Sequence, residues 1–130
     1  MLNDFGTLSV RAYTAGGALP VKGATVRIMG AGEENRHISY SLITDVDGVT
    51  ERVRLPAPSA SLSQSPNPKE SPYSVYDIEI SAPGFFRKKI YNVAVFAGTN
   101  SSQLVNMIPT SPDSIGDYPR GSINTIIPNN

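Results

Sequence analysis

Apolar and polar residues alternate along most of the first 109 positions, in short runs that end at turn residues. In the first run, Leu8, Val10 and Ala12 share one face, whereas Arg11 and its polar neighbours occupy the other. Such alternation is typical of a strand with one buried face, because successive side chains point to opposite sides of a sheet. The run therefore predicts a half-buried β-strand.

Six further runs repeat this pattern and predict six further strands. With the first, the runs lie at residues 5–15, 24–30, 37–44, 49–56, 73–82, 86–96 and 101–109. Turn residues separate them, and no helical periodicity is visible. Several short strands with regularly spaced turn signals predict an all-β, antiparallel sandwich.

One run contains a change of register. Ile90 and Val93 are separated by an odd number of positions, although both are apolar and both suit the core face. Because the side-chain period of a strand is two, an extra residue is needed to keep both of them buried. The sequence therefore predicts a bulge or bend near Asn92.

Two segments lack the strand pattern. Residues 56–72 contain five prolines and several serines, so we expect an extended or mobile surface loop. Residues 110–130 are rich in turn residues. We therefore predict a β-sandwich domain at 1–109 and a C-terminal extended tail or linker at 110–130.

Charge and composition narrow the function classes. The formal net charge is zero, which gives no global attraction to nucleic acid or to an anionic membrane. There is no cysteine, so thiol chemistry and cysteine metal sites are excluded. No apolar run approaches membrane-spanning length, so we expect no membrane insertion.

Several local patterns follow one another in a characteristic order. They are GTLSV at 6–10, LPVKGATVRI at 19–28, TDVDG at 44–48, YDIEISAPGF at 76–85, NVAVFAG at 92–98 and VNMIP at 105–109. This ordered set resembles the carboxypeptidase regulatory-like domain. The resemblance implies a seven-stranded antiparallel Greek-key sandwich of the transthyretin-like, or prealbumin-like, type. The family pattern is broken after the TDVDG turn, where Thr50 and Arg52 replace apolar residues.

The resemblance also implies a role. Domains of this family accompany enzymes, transporters or cell-surface proteins as stabilising or interaction modules. We therefore expect a non-catalytic accessory or protein-interaction module in an extracellular or cell-envelope setting, most simply a bacterial one. A protein partner or a cell-wall glycan would fit this role, as would a homodimer formed through an edge strand or the C-terminal tail.

Residues with catalytic or metal-binding potential are few. Asp45 and Asp47 precede Gly48, which favours a tight turn over a calcium loop, since calcium needs six or more oxygen ligands. His37 is the single histidine. The segment DYPRGS at 117–122 is similar to the Tyr-Arg-Gly-Ser end of hydroxyisourate hydrolases, but Pro119 interrupts it. We predict no catalytic, metal or cofactor residues, and a small hydrolase related to those enzymes remains a third alternative.

One cluster of aromatic and basic residues is the candidate interaction surface. Its members are Phe85, Phe86, Arg87, Lys88, Tyr73, Tyr76 and Tyr91. Exposed tyrosines could instead line a carbohydrate-binding face, because a tyrosine ring both stacks and hydrogen-bonds. The structural alternative places the cations on a solvated strand face opposite Asp77 and Glu79, with one of the two phenylalanines closing the end of the sandwich.

Overall fold

A computed structural model describes residues 2, 4–59 and 72–110, which form two four-stranded β-sheets. The strands are β1 (Asp4–Thr14), β2 (Leu19–Pro20), β3 (Thr25–Gly30), β4 (Ser39–Ile43), β5 (Val53–Ala57), β6 (Tyr73–Ser81), β7 (Lys88–Phe96) and β8 (Asn100–Asn106). Most of the predicted Pro/Ser loop and nearly all of the predicted tail lie outside the described residues. The domain boundary after residue 109 stays a prediction.

The first sheet is built around β1. This strand pairs antiparallel with β2 and β5, and it pairs parallel with β8 along Thr7–Tyr13. The second sheet has the order β4-β3-β6-β7 and is antiparallel throughout. The prediction of seven strands, all antiparallel, was wrong in two respects. The described residues contain eight strands, and the β1–β8 pair is parallel.

Alternating residues from both sheets meet in one core, as the pattern predicted. Leu8, Val10 and Ala12 of β1 are at most 1% exposed. The other fully buried core residues are Ala24, Val26, Ile28, Leu55, Ala57, Tyr76, Ile78, Ile80, Val95, Val105 and Met107. Interdigitation of the inner faces of two sheets is what makes a sandwich stable.

The predicted bulge lies in β7. Tyr76 pairs with Val93, and Ile78 pairs with Ile90, so Asp77 faces two residues of β7. Asn92 has a φ of 60°, a conformation that asparagine tolerates better than most residues. The Asp77 carboxylate accepts the backbone N–H of Asn92 at 3.0 Å, which secures the extra residue. The bulge keeps Ile90 on the side of the core.

The TDVDG segment forms the predicted turn. The Asp45 carboxylate accepts the backbone N–H groups of Asp47 and Val49 at 2.9 and 3.0 Å. Gly48 has a φ of 78°, and a Cβ there would collide with the Ala12 carbonyl oxygen. Asp45 therefore acts within the turn, where its carboxylate satisfies two backbone donors.

The segment after this turn departs from the predicted strand. β5 begins at Val53 and extends through Pro56 to Ala57, two residues into the predicted loop. Thr50 is buried. Its hydroxyl accepts the N–H of Val10 at 2.9 Å and donates to the Glu51 carbonyl at 2.9 Å. A buried hydroxyl with both bonds made carries little desolvation penalty, so a polar residue can stand at this position.

The side chain of Tyr76 links the two sheets by a hydrogen bond. The Tyr76 hydroxyl, from the second sheet, donates to the Pro56 carbonyl of the first at 2.6 Å. Burial raises the pKa of Tyr76, while a hydrogen bond with the Asn35 side chain opposes the shift. Asn35 is itself buried and donates to the Val75 carbonyl at 2.9 Å. This network holds the β3–β4 loop and the two sheets together at one end of the core.

Replacing Tyr76 by phenylalanine tests the bond between the sheets. We expect Tyr76→Phe to lower the free energy of unfolding by about 1–2 kcal/mol, because the partly buried Pro56 carbonyl loses its donor. Urea denaturation measures the change. The matched control is Tyr91→Phe, which alters an exposed ring and should shift stability by at most about 0.5 kcal/mol. Equal stability of both variants would show that the hydroxyl contributes nothing.

Candidate interaction surface

The Pro83-Gly84 turn is held by the segment that follows β8. Phe86 N–H donates to the Ile108 carbonyl at 2.8 Å, and Thr110 N–H donates to the Gly84 carbonyl at 3.0 Å. Phe85 forms a bridge with Pro109 between these two bonds. Residues 84–86 and 108–110 therefore make a short antiparallel pair that closes one end of the sandwich.

The two adjacent phenylalanines point in opposite directions. Phe85 is partly buried and packs against the core, which confirms that one phenylalanine closes the sandwich end. Phe86 is 55% exposed, and Ile108, directly opposite on the paired segment, is 49% exposed. Opposite residues of an antiparallel pair project to the same face, so these two side chains form one apolar patch.

Two cations, Arg87 and Lys88, follow Phe86 directly in the chain. Lys88, two residues after Phe86, donates from Nζ to the carbonyl of Asn106, two residues before Ile108, at 2.9 Å. Arg87 pairs with Glu79 at 3.5 Å, and Arg27 reaches the other oxygen of the same carboxylate at 3.6 Å. Both arginines are more than half exposed, so each pair contributes at most about 1 kcal/mol. Their charges remain accessible to a binding partner.

We define the Phe86 surface as Phe86, Ile108, Leu104, Arg87 and Lys88. Leu104 is 52% exposed and lies on the same outward side of its strand as Asn106. Ile108 and Leu104 were not among the predicted surface residues. The sequence contained a signal for both. Val105 and Met107 were predicted to point inward, and the adjacent residues Leu104 and Ile108 must then point outward, because successive side chains of a strand alternate.

The predicted tyrosines do not form one surface. Tyr76 is fully buried and belongs to the core, which corrects its place in the candidate cluster. Tyr91 is exposed, with Lys89 Nζ 5.1 Å from its ring centre. Tyr73 instead stacks with Phe96 at 5.2 Å between ring centres. Tyr73 pairs with Phe96 at one end of the β6–β7 ladder, whereas Tyr91 lies at the bulge opposite Asp77, with the Val75–Ala94 and Tyr76–Val93 pairs between them. No continuous tyrosine face therefore connects the two rings.

His37 lies at the rim of an open cleft near the other end of the molecule. Leu2, Glu34, Ile38 and Pro56 complete the lining. A hydrolase would need His37 beside Arg or Asp side chains, whereas this cleft supplies a glutamate and apolar groups. Within residues 2, 4–59 and 72–110, no group of three or more His, Asp or Glu side chains could hold a metal ion.

Comparisons with known proteins identify the fold but no family. No protein-family model matches the chain, and no curated protein matches it in sequence. Catechol 1,2-dioxygenase from Pseudomonas arvilla C-1 matches with a TM-score of 0.54 and 16% identity, over 95% of this chain and 58% of that chain. The Bacillus anthracis TIE protein matches with a TM-score of 0.53 and 15% identity, over 82% of this chain and 17% of that chain.

A third match is more distant. The major pilin subunit of Bacillus cereus has a TM-score of 0.47 and 12% identity, over 79% of this chain and 28% of that chain. This chain therefore spans less than two thirds of the length of each of the three structures. The matches above a TM-score of 0.5 show that the chain is a β-sandwich domain of a kind found within larger bacterial proteins.

The contrast between Phe85 and Phe86 can be measured directly. We expect Phe85→Ala to cost about 2–3 kcal/mol of unfolding free energy, because it opens a cavity at the sandwich end. Phe86→Ala should change stability by no more than about 0.5 kcal/mol, since the ring is mostly in solvent. Thermal and urea unfolding of the matched pair give the comparison. A larger loss for Phe86→Ala would mean that the two rings exchange roles.

Proposed function

We propose that this chain is a non-catalytic accessory module that binds another protein through the Phe86 surface. The observation that carries the proposal is the paired exposure of Phe86 and Ile108, with Arg87 and Lys88 at the edge of the patch. Aromatic residues and arginine are enriched at protein interfaces, where an apolar centre is surrounded by a polar rim. The patch has this composition and stands on a backbone pair that fixes its shape.

The polar groups of the core support a structural role. The Thr44 hydroxyl accepts the N–H of Ala24 and donates to the Val21 carbonyl, at 2.8 and 2.7 Å. Thr50, Asn35 and Tyr76 likewise bond to backbone atoms. The hydrogen bonds of these four side chains fix the backbone of turns and strands in place. A catalytic site needs polar groups that are aimed at a substrate, and these side chains are committed elsewhere.

The finer assignment belongs to the same proposal. The order of turns and strands resembles the carboxypeptidase regulatory-like domain, which implies the transthyretin-like Greek-key topology and an accessory role in a bacterial envelope or secreted system. The described residues include no helix that is long and apolar enough to cross a membrane. The localisation rests on the family resemblance.

Carbohydrate binding is the second candidate. The observation in its favour is the stacked pair Tyr73 and Phe96, each more than a third exposed. Aromatic rings at a surface can stack on the apolar face of a sugar. This pair lies at the end of the β6–β7 ladder away from Ile78 and Ile90, so its ligand would be distinct from that of the Phe86 surface.

Quantitative affinity capture from the native cell distinguishes the two functions. The bait is the full chain as wild type, as Phe86→Ser, and as Leu19→Ser, a control that removes a similarly exposed apolar residue from β2. We expect a protein captured by the wild type and the control to fall by about tenfold with Phe86→Ser, the loss of one interface anchor.

Two outcomes would contradict the proposal. One is equal capture by all three baits, and the other is binding on a glycan array that Tyr73→Ser abolishes and Phe86→Ser leaves intact. The second outcome would favour the carbohydrate function.

A further inference from the structure

The described strands leave four sheet edges, and three of them carry groups that discourage pairing with another chain. Open edges present unpaired backbone N–H and C=O groups, so natural proteins close them with prolines, charges or bulges. The edges of the first sheet are β8 on one side of β1 and β5 with the short β2, which ends in Pro20, on the other; the edges of the second sheet are β4 and β7. Each edge can be compared for these protective features.

The β5 edge is closed by a proline and two tyrosines. Pro56 has no N–H to offer. Its carbonyl accepts the Tyr76 hydroxyl at 2.6 Å, and the Arg54 carbonyl accepts the Tyr40 hydroxyl in a longer bond of 3.4 Å. The outward acceptors of β5 are therefore occupied by side chains of the second sheet.

The β8 and β7 edges are protected by polar side chains and by a bulge. On β8, the Gln103 amide donates to the Leu104 carbonyl at 3.1 Å, and Lys88 Nζ donates to the Asn106 carbonyl at 2.9 Å. On β7, the bulge at Asn92 interrupts the regular edge, and Lys89 adds a further charge. Lysines and bulges are the features that prevent edge pairing.

The β4 edge has none of these features. Its residues, SYSLI, include no charge, no proline and no glycine, and the uncharged run extends from Ile38 to Thr44. A segment of this length with strong β-propensity and no charge is the kind that pairs readily with another strand. Ile43 is 68% exposed, which adds an apolar side chain to the open edge.

The backbone groups that face this open side can be assigned from the ladder. Gly30 N–H donates to the Ile38 carbonyl, and Thr44 N–H donates to the Ala24 carbonyl, both at 3.0 Å. Even-numbered residues of β4 therefore bond to β3. Because backbone groups alternate in direction along a strand, the N–H and C=O groups of Ser39, Ser41 and Ile43 point outward.

We propose that β4 pairs with β4 of a second copy of this chain, antiparallel, about a two-fold axis at Ser41. Ser39 and Ile43 lie two residues before and after Ser41. About this axis Ser41 therefore faces Ser41 of the second copy, Ser39 faces Ile43, and each facing pair exchanges both backbone hydrogen bonds. The two four-stranded sheets then form one continuous eight-stranded sheet across the dimer.

The side chains of β4 favour a second copy over an unrelated peptide. In this register Ser41 meets Ser41 of the second copy, and the small Ser39 lies opposite the larger Ile43. In a two-fold pair, a charged side chain near the axis would lie close to the same charged side chain of the second copy and be repelled by it. β4 carries no charge, so this repulsion does not arise. The outward side chains offer no pocket or charge that would select a foreign sequence.

Self-pairing at β4 uses an edge separate from the Phe86 surface, so it holds or fails independently of the proposed function. The test uses the absence of cysteine from the chain. In the proposed register, Ser41→Cys places two Cα atoms about 5.5 Å apart, within the range that a disulfide spans. Ser39→Cys, on the same face of the same strand, lies about 15 Å from its copy, since four residues along the strand add to the separation of the two strands.

We expect mild oxidation to cross-link Ser41→Cys into a covalent dimer and to leave Ser39→Cys unlinked. Mixing Ser39→Cys with Ile43→Cys should give the heterodimer. Light scattering should show a wild-type mass that rises from monomer to dimer with concentration. Ser41→Lys, which places like charges at the axis, should remain monomeric, and its melting temperature should equal that of the wild type at concentrations where the wild type is monomeric. Ser102→Lys on β8 should still dimerise.

A monomeric wild type at every concentration, without cross-linking of Ser41→Cys, would overturn the proposal. Equal cross-linking of Ser39→Cys and Ser41→Cys would also overturn it, because it would exclude the two-fold register. A protein that pairs with β4 in place of the second copy would appear as a heterocomplex that Ser41→Lys disrupts while the chain alone stays monomeric, and that result would likewise reject self-pairing.

Discussion

The pairing of β1 with every other described strand of its sheet is the interaction on which the rest of the structure depends. β1 bonds to β5 through its first half and to β8 along Thr7–Tyr13. Its inner side chains anchor both neighbours over the second sheet. The end of β7 also lies very close to β1, since a Cβ at Gly6 would collide with the Phe96 carbonyl oxygen. The turn from β7 into β8 can therefore pass directly beside the start of β1.

The central place of β1 decides which strands become edges, and the edges decide where other molecules can bind. β5, the short β2 and β8 are outermost in the first sheet because each of them is bonded to β1. Their outward acceptors are met by side chains such as Tyr76 and Lys88. The same lysine lies beside the apolar patch of Phe86 and Ile108, so edge protection and the interaction surface share residues. β4 has no corresponding protection, which is why association through its backbone is the natural consequence.

The sequence predicted burial well and pairing poorly, for a physical reason. Alternation reports which side of a strand is buried, so the inward positions of β1, Val105 and Met107 and the bulge near Asn92 were all found. It carries no information on strand direction, and the parallel pairing of β8 was missed. The interaction surface was half predicted. Phe86 and its cations stand out by composition, whereas Ile108 joins them only through the pairing of distant segments. Tyr76 was misplaced by its residue type: alternation puts it on the same face as Ile78 and Ile80, and all three are buried. The carbonyl that accepts its hydroxyl lies across the sandwich and leaves no local signal.

Native-state hydrogen exchange, followed at single amides, tests most directly whether β1 organises the fold. The account predicts that the β1 amides of Leu8, Val10 and Ala12 exchange only through global unfolding, with the free energy that denaturation measures. The amides of β2, a two-residue strand at the margin of the sheet, should exchange through smaller openings. If β1 amides exchanged at a lower free energy than those of β6, the first sheet would open while the second stayed folded, and the central role of β1 would be contradicted.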